Sequence, residues 1–209
     1  MKLTKYQHAC FTVEEDDKIL VVDPGEFSTN FLSPENVVGI VITHQHGDHF
    51  DTERLAEIMD KNSEATIFAP TSVSTQLEAF RHTTVTAGET VSVGPFELAF
   101  HGGTHAVIHE TVPAVDNVGL LINQLVYYPG DSLVLPGQAI DTLLVPASAP
   151  WLKISEAMNF LAAVKPRLAI PTHDAILSTE GKEVYDWWLK KACDENNTEF
   201  LRPENQISI

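Results

Sequence analysis

The chain has 209 residues, 44% hydrophobic and 20% charged, the balance of a globular protein with its own core rather than a disordered or membrane-spanning one. Its 13 basic and 29 acidic residues leave a formal charge of −16, which disfavours nucleic acid as a partner but not a small anion, since a bound cation would invert the local sign. No apolar run approaches the ~20 residues of a membrane span, so no membrane association is expected.

Short β-like runs open the chain at Lys2–Tyr6, Ala9–Val13, Lys18–Val22 and Val37–Thr43, with Asp16-Asp17 supplying turn chemistry between the second and third. Asp51 is placed to cap a helix through DTERLAEIMDKN, and Thr71 a second through TSVSTQLEAF, on either side of the strand ATIFAP. Strands follow at Val91–Val93, Phe96–Phe100, Asn117–Ile122 and Gln124–Tyr128. The last third alternates: strand Thr142–Val145, helix Ser155–Val164, strand Arg167–Ile170, helix Thr179–Cys193 and a closing strand Ile207–Ile209. Meanders followed by βα units predict two packed mixed sheets flanked by helices, an α/β αββα sandwich. On the last helix, Val184, Trp187, Trp188 and Ala192 fall at helical spacing and are expected to face the core. No repeat or linker divides the sequence, so residues 1–209 are taken as one domain. The opening MKLTKYQHACFTVEEDD has neither the apolar stretch nor the cleavage site of an export signal, and Cys10 and Cys193 are far apart; a reducing cytoplasm is expected.

Several apolar strands end alike, in a sharp turn carrying a metal-capable side chain: ILVVDPG, GIVITHQHGDH, LVYYPGD and RLAIPTH. Rigid strand ends are where a polar site is best built, so Asp23, His44, His46, Asp48, His49, Asp131 and His173 are expected to converge. In THQHGDH a tight turn can aim His44 and His46 at one cation while Asp48 and His49 face a neighbour. Mixed imidazole and carboxylate donors suit zinc first, with manganese and iron as alternatives.

H-x-H-x-D-H after a strand, preceded by a strand ending in Asp-Pro-Gly and followed by a lone His, Gly130-Asp131 and Pro171-Thr172-His173, resembles the metallo-β-lactamase superfamily. Tyr6-Gln7-His8-Ala9 and Asp48-His49-Phe50-Asp51 further resemble its ascorbate-phosphate lactonase-like branch. The resemblance implies a dinuclear site of two divalent ions and hydrolysis by a metal-bound hydroxide. It assigns His44, His46 and His105 to one metal, Asp48, His49 and His173 to the other, and Asp131 to both. The stretch HGGTHAVIH also offers His101 and His109; His105 is favoured because it follows Gly-Gly-Thr at a strand end. Asp48 could also orient the nucleophile and take its proton, the one catalytic role assigned. Asp23 is placed behind a ligand, holding the other N–H of a histidine, with a merely turn-shaping role equally open. His8, His109 and Trp151 are candidates for the pocket wall.

Departures from sister families narrow the choice. A secreted β-lactamase needs an export signal, RNA-processing and glyoxalase II-like relatives carry extra segments, and the diiron oxygen reducers place Glu where His46 stands. The expectation is a hydrolase of a small molecule, lactone or other ester first and phosphodiester second. The alternatives are a metal-binding or sensor protein without catalysis, and sulfur oxidation at a single iron. Oligomeric state is left open.

Overall fold

The computed structural model describes residues 1–209. In chain order the elements are β1 (Lys2–Lys5), β2 (Phe11–Glu15), β3 (Lys18–Val22), β4 (Val37–Val41), α1 (Thr52–Lys61), β5 (Thr66–Ala69), α2 (Thr71–Ser74), β6 (His82–Thr84), β7 (Thr90–Val93), β8 (Phe96–Thr104) and β9 (Asp116–Ile122). Then come β10 (Val126–Tyr128), β11 (Thr142–Pro146), α3 (Ile154–Val164), β12 (Leu168–Thr172), α4 (Thr179–Glu195), β13 (Glu199–Phe200) and β14 (Ile207–Ser208).

The strands form two seven-stranded sheets, β14-β1-β2-β3-β4-β5-β6 and β13-β12-β11-β10-β9-β8-β7. Each is antiparallel at one side and parallel at the other: β14 to β3 and β7 to β10 pair antiparallel, β3 to β6 and β10 to β13 parallel. The 20-residue core between the sheets takes Leu20, Val22 and Val41 from one and Phe100, Leu120 and Ile170 from the other. Alternate side chains face outward, as the two-residue period of a strand requires. Val21, Ile40, Ile42 and Ile67 pack under Leu55 and Ile58 of α1, while Tyr127, Leu143 and Val145 pack under Phe160 of α3 and Leu189 of α4. This is the αββα sandwich.

Local chemistry sets the punctuation. Asp16 and Asp17 both adopt positive φ, 50° and 57°, in the two-residue turn joining β2 to β3. Asp51 caps α1 by accepting the Glu53 N–H at 2.9 Å, and Ser178 caps α4 by accepting from Gly181 at 3.1 Å.

Three sequence expectations are corrected. The helix expected from Thr71 stops at Ser74, because its hydroxyls and amide compete for the backbone: Ser74 Oγ donates to Ala69 O, Thr75 Oγ1 and Gln76 Nε2 to Ser72 O. On α4 the buried face is Leu189, Ala192 and Cys193; Trp187 and Trp188 are 59% and 37% exposed, with Val184 exposed beside them. The helical period is satisfied by either set, and Trp187 and Trp188 instead pack on each other, centroids 4.6 Å apart. Finally, β8 runs on to Thr104 and carries the chain to His105, and the edge strands β6 and β13 are additional.

Candidate metal centre

The first sheet supplies a compact group. At the carboxyl ends of parallel β3 and β4, where open α/β sheets place their ligands, lie Asp23 and the turn from His44 to His49. A Cβ on Gly25 would sit 2.1 Å from the Asp48 carbonyl carbon, so the Asp-Pro-Gly turn needs glycine to pack against the Asp48–His49 backbone. Asp23 itself is strained, at φ 45°. Its buried carboxylate accepts from Thr43 N (2.8 Å), Thr43 Oγ1 (2.7 Å), His49 Nδ1 (2.7 Å) and Tyr128 OH (3.1 Å).

The second sheet supplies single residues from separate strand ends. His105 follows β8, and Ala106 N donates to Asp131 O at 2.8 Å. Asp131 follows β10 through Gly130, whose φ of 61° and missing Cβ admit Asn117 Oδ1, 2.4 Å from where a Cβ would lie. Asn117 Oδ1 accepts the Asp131 N–H at 2.9 Å while its Nδ2 donates to Pro129 O at 3.0 Å, which fixes the turn. His173 follows β12 at φ 56°.

These residues close on one volume. The donor atoms of His44, His46 and His105 lie within 4.8 Å of one another, as do those of His44, His49 and Asp131, and those of His8, Asp48, His49 and His173. Around Asp131, Oδ1 is 3.3 Å from His49 Nε2, and Oδ2 is 3.3 Å from His105 Nε2 and 3.1 Å from His173 Nε2. Asp48 Oδ2 is 3.3 Å from His173 Nε2.

The outward nitrogens decide what the inward ones can do. His49 Nδ1 donates to Asp23, His105 Nδ1 to Ala106 O (2.5 Å) and His173 Nδ1 to Ser148 O (2.6 Å). Thr43 gives its proton to Asp23, so Thr43 Oγ1 accepts from His44 Nδ1 at 3.0 Å. In its neutral form each ring therefore keeps its lone pair on Nε2, and all four Nε2 atoms, with Asp131 Oδ1, are buried without a hydrogen-bond partner. Orphaned lone pairs of this kind are costly unless something binds them, and a cation satisfies all of them together. The donor set fits a metal.

Charge tells the same story. Burial pushes the His44 imidazole well below its ordinary range. For His49 burial acts the same way, but the Asp131 and Asp23 carboxylates outweigh it and hold the imidazole well above the usual value. His173 is pushed up to about 9 against its burial by Asp131 and Asp48. Burial would raise the Asp131 carboxyl, yet His49 and His173 hold it well below the usual range, and contacts with His173 and His8 do the same for Asp48.

The other sequence candidates divide. His8 is fully buried rather than on the pocket wall. Its Nδ1 accepts the Ala175 N–H at 3.2 Å, so its Nε2 carries the proton and donates to Asp48 Oδ2 at 2.9 Å, leaving no lone pair for a cation. Trp151 Nε1 donates to Asp131 Oδ2 at 2.8 Å, its ring 6.0 Å from that of His105. His109 is exposed and bonded to Thr111, and His101 packs against the Tyr127 ring, so neither joins the cluster. Sequence reading missed Thr43, Asn117, Tyr128 and the Ser148 carbonyl; only Thr43, adjoining the histidine motif, stands where a local signal could have found it.

Comparison with known proteins identifies the family. Residues 2–173 match the family model described as a β-lactamase superfamily domain. The Mycobacterium tuberculosis protein Rv0786c is 37% identical, over 88% of this chain and 89% of its own. A UPF0173 metal-dependent hydrolase of Archaeoglobus fulgidus is 30% identical over 83% of each chain. Among solved structures, the metallo-β-lactamase fold protein YhfI of Bacillus subtilis superposes with a TM-score of 0.75 at 16% identity, over 99% of this chain and 97% of that one. The chain belongs to the β-lactamase superfamily and, within it, to the UPF0173 metal-dependent hydrolases.

Proposed function

We propose that the chain is a cytoplasmic dinuclear hydrolase of a small molecule, a lactone or other ester first and a phosphodiester second, with zinc as its metal. The observation that carries this reading is the set of four buried imidazoles whose Nε2 lone pairs converge on the Asp131 carboxylate without other partners. His44, His46 and His105 would hold one ion and Asp48, His49 and His173 the other, with Asp131 shared. Cations held there supply Lewis acidity and bring the pKa of bound water from 15.7 down toward about 7.

The protein's own groups do the rest. Asp48, with a 21% exposed side chain, stands at the open side of the centre, stays ionised at neutral pH, and is steadied at Oδ2 by the His8 N–H. That makes Asp48 the carboxylate able to orient the attacking water and take its proton. Asp23, Ser148 O, Ala106 O and Thr43 keep four imidazoles turned inward, and Tyr128, whose hydroxyl burial and Asp23 keep protonated, braces Asp23 from the other sheet. A thiol nucleophile has no part, since both cysteines are buried and their pKa values are raised to about 12.

The test is metal analysis and turnover on one preparation. Protein loaded with zinc or manganese should bind about two ions per chain and hydrolyse an aryl ester or lactone faster than a bis-aryl phosphodiester. Failure to take up metal at neutral pH sinks the reading; a stoichiometry of one rejects its dinuclear part.

A further inference from the structure

Around the open side of the centre, where His46 and Asp48 reach solvent, the protein leaves large apolar side chains uncovered. The loop after His105 folds onto His46 and His105 with an apolar lining, and its Val107, Ile108 and Val112 remain exposed, Val107 by 71%. The exposed Phe27 lies 5.2 Å from the His8 ring, and with Ile176 it lines a hollow of about 310 Å³. Trp151, half-buried against His105, continues the same surface. Exposed apolar surface gathered beside a polar centre marks a ligand-binding site rather than ordinary exterior.

Carboxylates stand close to the histidine turn. Glu26 lies over Gly47 of the histidine turn, its Oε1 2.9 Å from where a Gly47 Cβ would stand, and Glu110 is exposed in the His105–Val115 loop. Cations are present as well: Lys182 lines the hollow beside Phe27 and Ile176, and Lys153 is exposed two residues from Trp151. Lys5 donates to the His8 carbonyl at 2.6 Å, Lys182 lies 3.7 Å from Asp174, and Arg202 pairs with both Asp186 and Asp174.

Resting on the hydrolase reading, we propose that the mouth formed by Phe27, Val107, Ile108, Val112, Trp151 and Ile176 selects an ester or lactone bearing an apolar substituent. The apolar group lies on this surface while the ester carbonyl faces Asp48 and the shared carboxylate.

Two measurements on metal-loaded protein test the proposal. In the first, kcat/KM for p-nitrophenyl esters should rise from acetate to hexanoate by about fourfold per methylene, the factor for burying one CH2. Ile108→Asp should flatten the rise while metal content is unchanged. The second needs no turnover. In protein carrying Trp187→Phe and Trp188→Phe, Trp151 is the one indole left of three. Titration with 2-pentanone and 2-nonanone, neutral ketones that cannot be hydrolysed, should change its fluorescence saturably and more tightly for the longer chain. Ketone binding without turnover of any ester would reject the hydrolase reading and keep the mouth. No saturable binding, or no dependence on chain length, would overturn the proposal.

Discussion

The two sheets build their shares of the metal centre in opposite ways. From the first come Asp23 and four donors within one short turn, His44 to His49, so the geometry of that half is mostly local. From the second come His105, Asp131 and His173, each from a different strand end, aligned only because β8, β10 and β12 lie in one sheet. Two groups reach across: Tyr128 of the second sheet donates to Asp23 of the first, and Asp131 sits against His49. A compact motif can be written into a few residues; its counterpart has to be assembled by topology.

If Asp131 is the junction of the two halves, its loss should cost most. Asp131→Asn should lower both metal affinity and turnover by more than the roughly 10–100-fold that losing an outer partner causes. Titration with zinc, followed by assay, checks this; a variant that keeps two tightly held ions refutes the shared role.

Next in size should be Asp23→Asn, which takes the charge from behind His49 and leaves one oxygen to serve the donors of Thr43, His49 and Tyr128. We expect a loss in metal affinity of about 10–100-fold. An effect equal to that of Asp131→Asn would make Asp23 more than a support, and no effect would reduce it to a turn former.

Chelation sharpens the comparison through protons and heat. Without metal His173, with a pKa near 9, and His49, held higher than usual, carry protons at neutral pH, and ligation must displace them. Zinc added to stripped protein at pH 7 should therefore release protons, and the His173 share should shrink as pH rises through about 9; a pH indicator in weak buffer reads this. Equal release at pH 7 and pH 10 would argue against it. Saturation at a hundredfold over Kd adds about 2.7 kcal/mol per site, and each kcal/mol moves Tm by roughly 2–4 °C at this size. Stripped protein should melt several degrees lower yet stay folded, since the 20-residue core between the sheets is built of hydrophobic side chains that bury against one another without a metal. A melting curve indifferent to both stripping and zinc would count against clustered donors.

Smallest should be Trp151→Phe, which keeps a ring beside His105 but removes the N–H bond to Asp131 Oδ2. About tenfold weaker zinc binding is expected, the low end for an outer partner. Trp187→Phe, on the exposed face of α4, should leave zinc binding untouched.

The sequence by itself determined the local features. The histidine turn, the Asp16-Asp17 turn, the Asp51 cap and the αββα order all follow from side-chain chemistry or periodicity within a few residues. It left open which of His101, His105 and His109 joins the cluster, because each stands near the end of β8 and only the loop's path, tied at Ala106 to Asp131, brings His105 inward. Tertiary structure also decided which face of α4 is buried, since a 3.6-residue period permits more than one stripe. It decided as well that His8 serves as a donor to Asp48. That role depends on Ala175, far away in sequence, filling the other ring nitrogen. An imidazole's function is set by whichever group occupies its second nitrogen, and in this fold that group often comes from another strand end.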